Sequence, residues 1–144
     1  MLTEDERTAL ATWSASKVVL VLGTRVGAAQ AVLWTARRVV VVDSDPEAVI
    51  PEGFTNCMFL RRLPDARVDA FDLAFIDTAH ATIQHESGVV AAIAACKQQK
   101  VPQLIITDVN LRPVRGAINF YGLVEMTAYR IRGLAMYGWP KEKE

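Results

Sequence analysis

The sequence carries no net charge, because 16 lysines and arginines balance 16 aspartates and glutamates. A chain that grips a nucleic-acid polyanion usually carries a basic field, so this balance argues against nucleic acid as the main partner. Cysteine is nearly absent. Cys57 and Cys96 are the two in 144 residues, stand at no metal-ligand spacing, and read as buried thiols of a cytoplasmic protein. Long apolar runs are lacking too: Val18–Leu22 and Val39–Val42 are strand-sized, far short of a membrane span. The opening MLTEDER is acidic and polar, unlike a secretory signal. No internal repeat and no low-complexity linker interrupts the chain, and the closing KEKE reads as a solvated end. What is present is a composition 51% apolar, enough to bury a core, at a length that suits one domain over residues 1–144.

The apolar residues fall in a pattern. Val18–Leu22, Val39–Val42, Phe71–Ile76 and Leu104–Thr107 are continuous valine- and isoleucine-rich runs, with a further strand at Asn56–Leu60. Continuous runs mark strands buried on both faces, as in a parallel sheet covered by helices. Helical stretches lie between them. Thr3 and Glu6 form a capping-box pair for a helix over Glu4–Ser14. Ala28–Arg38 and Ile83–Lys97 come next, the second with Val89, Val90, Ile93 and Ala94 on one stripe. Near the end, LVEMTAYRI and GLAMYGW flank Arg132 and Gly133 as an antiparallel hairpin. The expected fold is α/β: a doubly wound, mostly parallel sheet finished by a C-terminal antiparallel hairpin. It divides into a leading helix (1–16), a core (17–110), a closing segment with the hairpin (111–139) and a charged tail (140–144). Trp13, Trp34 and Trp139 read as packing residues. Two crossovers are thin: Asp43 to Asn56 holds room for little more than one helical turn, and Leu60 to Phe71 contains Pro64. A poorly covered sheet face favours burial against another subunit, so a homo-oligomer or a partner protein is expected.

The chemistry gathers at strand ends. VVLVLGTRVGAAQAVLWTARRVVVVDSD, from Val18 to Asp45, reads as strand, glycine turn, helix, strand and acid. Gly23 and Gly27 let the chain turn sharply and a ligand approach the backbone, and the helix N-terminus offers N–H groups. Asp43 stands at the spacing from which a carboxylate accepts both ribose hydroxyls of a nucleotide-type cofactor. The alternative is that the glycines serve only the turn and Asp43 caps the segment after it. Asp77 and Asp108 each end a buried strand, where the ligand crevice of an open α/β sheet lies. With Asn110 they could hold a hard divalent ion such as Mg²⁺ through oxygen ligands, or each could simply cap the next element. His80, just past the FID run, is the general-base candidate. His80 and His85 stand five apart, which is not the spacing of one helical face, so zinc is not expected. Arg112 and Arg115 flank Pro113 and read as loop cations, able to meet a carboxylate or phosphate.

VLGTRVGAAQAVLW resembles the first motif of class I S-adenosylmethionine-dependent methyltransferases, and is most similar to the small-molecule O-methyltransferase and cephalosporin-hydroxylase-like branch, whose motif reads roughly E-I-G-T-x-x-G-x-S. FDLAFIDTAH is similar to that branch's D-L-V-F-I-D-G-x-H segment, PQLIITDVN to its next strand, and YRIRGLAMYGWP to its closing hairpin. The resemblance spans Lys17 to Trp139 in the right order. It implies a Rossmann-like sheet of about seven strands, the last antiparallel, with S-adenosylmethionine at the C-terminal strand edge. By that likeness Gly23, Thr24, Arg25 and Gly27 line the methionine part, Asp43 holds the ribose, Leu60 to Leu63 lie near the adenine, and Asp77 and His80 face the methyl group and substrate. Val21 stands where the family has an acid, Ala28 where it has a small hydroxyl, Thr78 where it has a glycine, and Asn110 one residue beyond a second metal ligand.

Together these features imply a cytoplasmic S-adenosylmethionine-dependent methyltransferase acting on a small-molecule acceptor, more readily at oxygen than at nitrogen, with Mg²⁺ as a candidate second cofactor. Most of its acceleration would come from in-line positioning of methyl group and acceptor. The chain has almost no insertion to serve as a lid, so the acceptor site is expected to be open or completed by a neighbouring subunit. One rival is a non-catalytic binding or assembly module on the same fold. The other is an NAD-type nucleotide-binding protein, against which the missing third glycine counts.

Overall fold

The computed structural model describes residues 2–23, 28–45, 53–79, 83 and 85–141. Helix α1 (Glu4–Ser14) opens the chain where the capping box placed it: Thr3 Oγ1 accepts the Glu6 N–H at 3.2 Å, and Glu6 Oε1 accepts the Thr3 N–H at 2.9 Å. Next come β1 (Val18–Leu22), α2 (Ala28–Thr35), β2 (Arg38–Val42), β3 (Cys57–Leu60), β4 (Leu73–Ile76), α3 (Glu86–Gln98), β5 (Gln103–Ile106), α4 (Arg112–Tyr121), β6 (Val124–Ile131) and β7 (Leu134–Gly138). The seven strands form one sheet in the order β3-β2-β1-β4-β5-β7-β6, parallel except at β7, which runs antiparallel to both its neighbours. This is the expected α/β architecture with its closing hairpin.

The continuous runs are buried on both faces, and alternate residues go to opposite sides. Val18, Leu20, Leu22, Ala74, Ile76, Leu104 and Ile106 point toward α3 and α4, where Val89, Ile93, Cys96, Val114 and Ile118 meet them. Val19, Val21, Leu73, Phe75 and Ile105 point toward α1 and α2, against Leu10, Val32 and Leu33. Thr35 Oγ1 donates to Ala11 O at 2.6 Å and ties the two helices of that layer together.

Several boundaries and one element differ from expectation. Helix α2 stops at Thr35 because the Arg37 and Arg38 N–H groups turn to Lys17 O as β2 begins. Helix α3 starts at Glu86 with His85 as its N-cap, not at Ile83. Residues 112–121, expected as a loop, form α4: Val114, Ala117 and Ile118 are buried at helical spacing, and Pro113 sits in the first turn, where its missing N–H has no partner to lose. Arg112 and Arg115 are therefore helical. Trp13 packs edge-on to Tyr129, with ring centroids 5.8 Å apart, and Trp139 Nε1–H donates to Val101 O at 2.6 Å. Trp34 is not a core residue: it is 72% exposed and meets Phe54 edge-to-face.

Residues 61–72 hold no helix, in keeping with Pro64. The sheet face they cross is nevertheless covered, because Leu63 and Val68 pack onto the core and Phe71 is buried. The bare face from which a second subunit was expected is thus absent at this connection. In the other thin crossover, residues 46–52 lie outside the described residues. Among the described residues, no helix is long and apolar enough to cross a membrane.

Candidate functional site

The parallel ladder runs one residue past several strands and sets a row of groups along the carboxyl edge. Gly23 N–H donates to Val42 O at 3.1 Å, Asp43 N–H to Leu60 O at 3.0 Å, and Asp77 N–H to Leu22 O at 3.1 Å. Gly23 has φ +100°, a conformation an L side chain rarely adopts, so glycine is required where β1 ends. Asp43 ends β2 beside it and is 3% exposed. Its Oδ1 accepts the Asp45 N–H at 2.9 Å, and Asp45 O in turn accepts from Arg61 Nη1. The Arg61 guanidinium lies 4.6 Å above the centre of the Phe59 ring. Acid, turn and arginine therefore form one connected set across the ends of β2 and β3.

In front of this set opens a cleft of about 370 Å³. One side is Gly23, Asp43 and Ser44; another is Arg61, Arg62 and Leu63; the third is the small-residue face of α3, with Gly88, Ala91, Ala92 and Ala95, ending at Gln98. Such a volume lies within the range of about 300–1,000 Å³ usual for small-molecule and cofactor sites. Leu60 does not line the cleft. It contributes the carbonyl that fixes Asp43, and the three residues after it form the wall. Thr24, Arg25, Gly27 and His80 lie outside the described residues.

A second group of polar residues caps β4 and β5. Asp77 is fully buried. The Thr78 N–H donates to Thr107 Oγ1 at 2.9 Å. Thr78 Oγ1 lies 2.9 Å from Thr107 Oγ1, 3.0 Å from Thr107 O and 3.4 Å from Asp108 Oδ2. The threonine that departs from the family's glycine is thus a clasp between two strand ends. Asp108 has φ +52°, and its neighbour's Val109 N–H donates to Gly133 O at 3.0 Å, so the hairpin turn leans on this edge. Arg61 and Arg62 fall in the Leu60–Leu63 stretch that the resemblance put near the adenine, but sequence reasoning assigned no site role to Thr107, because a lone threonine carries no signal of the strand end it will face.

Asn110, the third residue of the candidate metal group, is engaged by the hairpin. Its Oδ1 accepts from Arg130 Nη2 at 2.7 Å, and Arg130 Nη1 meets Glu125 Oε1 at 2.5 Å. A guanidinium thus already engages the Asn110 oxygen, and no group of three or more His, Cys, Asp or Glu able to hold a metal exists among the described residues. Mg²⁺ therefore gains no support from this edge. Beneath this ion pair, Tyr137 O–H donates to Glu125 Oε1 at 3.4 Å, and burial pushes the phenol above its usual value, partly offset by the Arg115 cation.

No protein-family model and no curated protein matches the sequence. Solved structures do match by shape. The N-methyltransferase NodS of Bradyrhizobium japonicum WM9 aligns with a TM-score of 0.66 at 16% identity, over 95% of this chain and 96% of that one. SMU.1697c of Streptococcus mutans, solved in complex with SAH, gives 0.61 at 12% identity, over 97% and 100%. A precorrin 8w decarboxylase from Methanobacterium thermoautotrophicum gives 0.61 at 15%, over 96% and 91%. The sheet order, the antiparallel β7 and these likenesses together establish that the chain has the class I S-adenosylmethionine-dependent methyltransferase fold.

Proposed function

We propose that this chain is an S-adenosylmethionine-dependent methyltransferase whose cofactor lies in the cleft between Asp43 and α3. The observation that carries the proposal is the placement of Gly23 and Asp43 side by side at the ends of adjacent parallel strands, both lining one cleft of cofactor size. An acid at that position accepts hydrogen bonds from ribose hydroxyls, and a glycine at φ +100° lets a ligand approach the backbone. Leu63 and the alanines of α3 offer apolar surface to an aromatic base, and the family resemblance assigns Thr24, Arg25 and Gly27 to the amino-acid end. When bound, S-adenosylmethionine supplies an electrophilic methyl group. This chain's residues have the remaining work of orienting an acceptor and taking its proton. His80, three residues past Asp77, is the base in this proposal, and the Asp77–Asp108 edge is the acceptor side.

A small-molecule acceptor, methylated at oxygen, is proposed from the branch the sequence resembles, although NodS acts at nitrogen by its name. The second reading is a binding module without catalysis. Val21 favours it: the residue at the family's acidic position is fully buried against α2 and offers no carboxylate to the cofactor's amino group.

Calorimetric titration with S-adenosylhomocysteine tests both. Wild-type protein should bind in the micromolar range. Asp43→Ala should weaken binding about 10–100-fold, as expected for losing charge-assisted hydrogen bonds, and Asp43→Asn, which keeps the shape, should fall between. A folded wild type that takes up no S-adenosylhomocysteine would sink the enzyme reading and leave the module.

A further inference from the structure

Residues 61–72 cross a sheet face without helical hydrogen bonds of their own, so their backbone groups need partners from elsewhere. A single side chain supplies three of them. Gln99, the C-cap residue of α3, is fully buried. Its Oε1 accepts the Val68 N–H at 2.8 Å, while Nε2 donates to Ala66 O at 3.1 Å and to Pro64 O at 3.4 Å. Gln98 adds an exposed bond from Nε2 to Asp65 O at 3.2 Å. A primary amide is suited to the task because it presents acceptor and donors in one plane, and the segment 64–68 offers one N–H and two carbonyls to match.

The same segment leads back into Arg61–Leu63, one wall of the cleft, while α3 is the facing wall. One helix thus forms one side of the cleft and, through its cap, holds the other at a fixed distance. We propose that Gln99 is a positioning residue that sets the width of the cleft and, through it, the affinity for an adenosyl ligand. The proposal rests on the cofactor reading above. It assigns Gln99 no contact with the ligand, since Gln99 does not line the cleft.

The test uses Gln99→Met, which keeps length and bulk but offers neither N–H nor carbonyl, with Lys97→Ala, an exposed position of the same helix outside the cleft, as the control. Backbone hydrogen exchange over residues 64–68 should rise about tenfold in Gln99→Met and stay within twofold in Lys97→Ala. S-adenosylhomocysteine should bind the Met variant about tenfold more weakly at a temperature where both proteins are folded, an effect that a purely structural role would not produce. Unchanged exchange, or raised exchange with unchanged affinity in a wild type that binds, overturns the role of Gln99 alone. Absence of wild-type binding overturns the methyltransferase reading and this affinity claim together. Should Gln99→Met not fold, the wild type gives a second readout: S-adenosylhomocysteine should slow exchange at Val68, which lies outside the cleft, and exchange that ligand leaves unaltered counts against the proposal.

Discussion

Thr78 shows how one atom at a strand end can replace what a family achieves with another residue. A glycine there would leave Thr107 without its side-chain partner, whereas the Thr78 hydroxyl sits between Thr107 and Asp108, 29 and 30 residues away in sequence. Both threonines are buried, so water cannot replace a lost bond. Thr78→Val keeps shape and removes the hydroxyl; it should cost about 1–2 kcal/mol in urea unfolding, the usual cost of a buried hydroxyl partner. Thr78→Ser should recover most of that. The sequence could show that Asp43 and Gly23 end strands, because a run of valines closed by a polar residue fixes an end. It could not show Thr78 against Thr107 or Gln99 against Val68. Those pairings depend on which strands and loops become neighbours, and no local pattern encodes that.

Elements were legible in proportion to how locally their signals act. Helix α1 is fixed by residues three apart, Thr3 and Glu6, and lies where that pair put it. The strands are fixed by runs of β-branched residues too apolar for any surface. Helix α4 was hidden because it is short, carries Pro113 and Gly116, and begins with arginines that disfavour a helix N-terminus. Its stop signal was present all the same. Gly122 takes φ +62°, and the Leu123 N–H reaches back to Ile118 O at 3.1 Å, closing the helix. A Cβ at Gly122 would meet nothing nearer than Pro140 Cγ at 3.9 Å, so any penalty there is backbone strain and not collision. Gly122→Ala should therefore lower stability by about 1–2 kcal/mol, and Gly122→Asn by clearly less, measured by thermal or urea unfolding. Equal losses would mean that packing against Pro140 decides the matter instead.

The whole molecule stores protons as it folds. Burial pushes the Cys96 thiol up to about 12, and raises Cys57 and the Tyr137 phenol as well. In the unfolded chain a thiol titrates near ~8.5 and a phenol near ~10. Between those values and the folded ones, the native state binds more protons than the unfolded state, so stability falls as pH rises. The contribution is fully present below about pH 8 and is lost above it, at about 1.4 kcal/mol per pH unit for Cys96 alone. Cys57 is only partly buried and should add less. Urea unfolding at pH 7, 8, 9 and 10 should therefore give a flat stability up to about pH 8 and then a decline. Cys96→Ala should be less stable than wild type at pH 7, because it leaves a small void beside Ile93 and Leu104 in the core between α3 and the sheet, yet its decline above pH 8 should be shallower. The two stability curves should converge as pH rises. Parallel curves would mean that Cys96 is reached by solvent in the native state and that the α3 layer is looser than its packing implies.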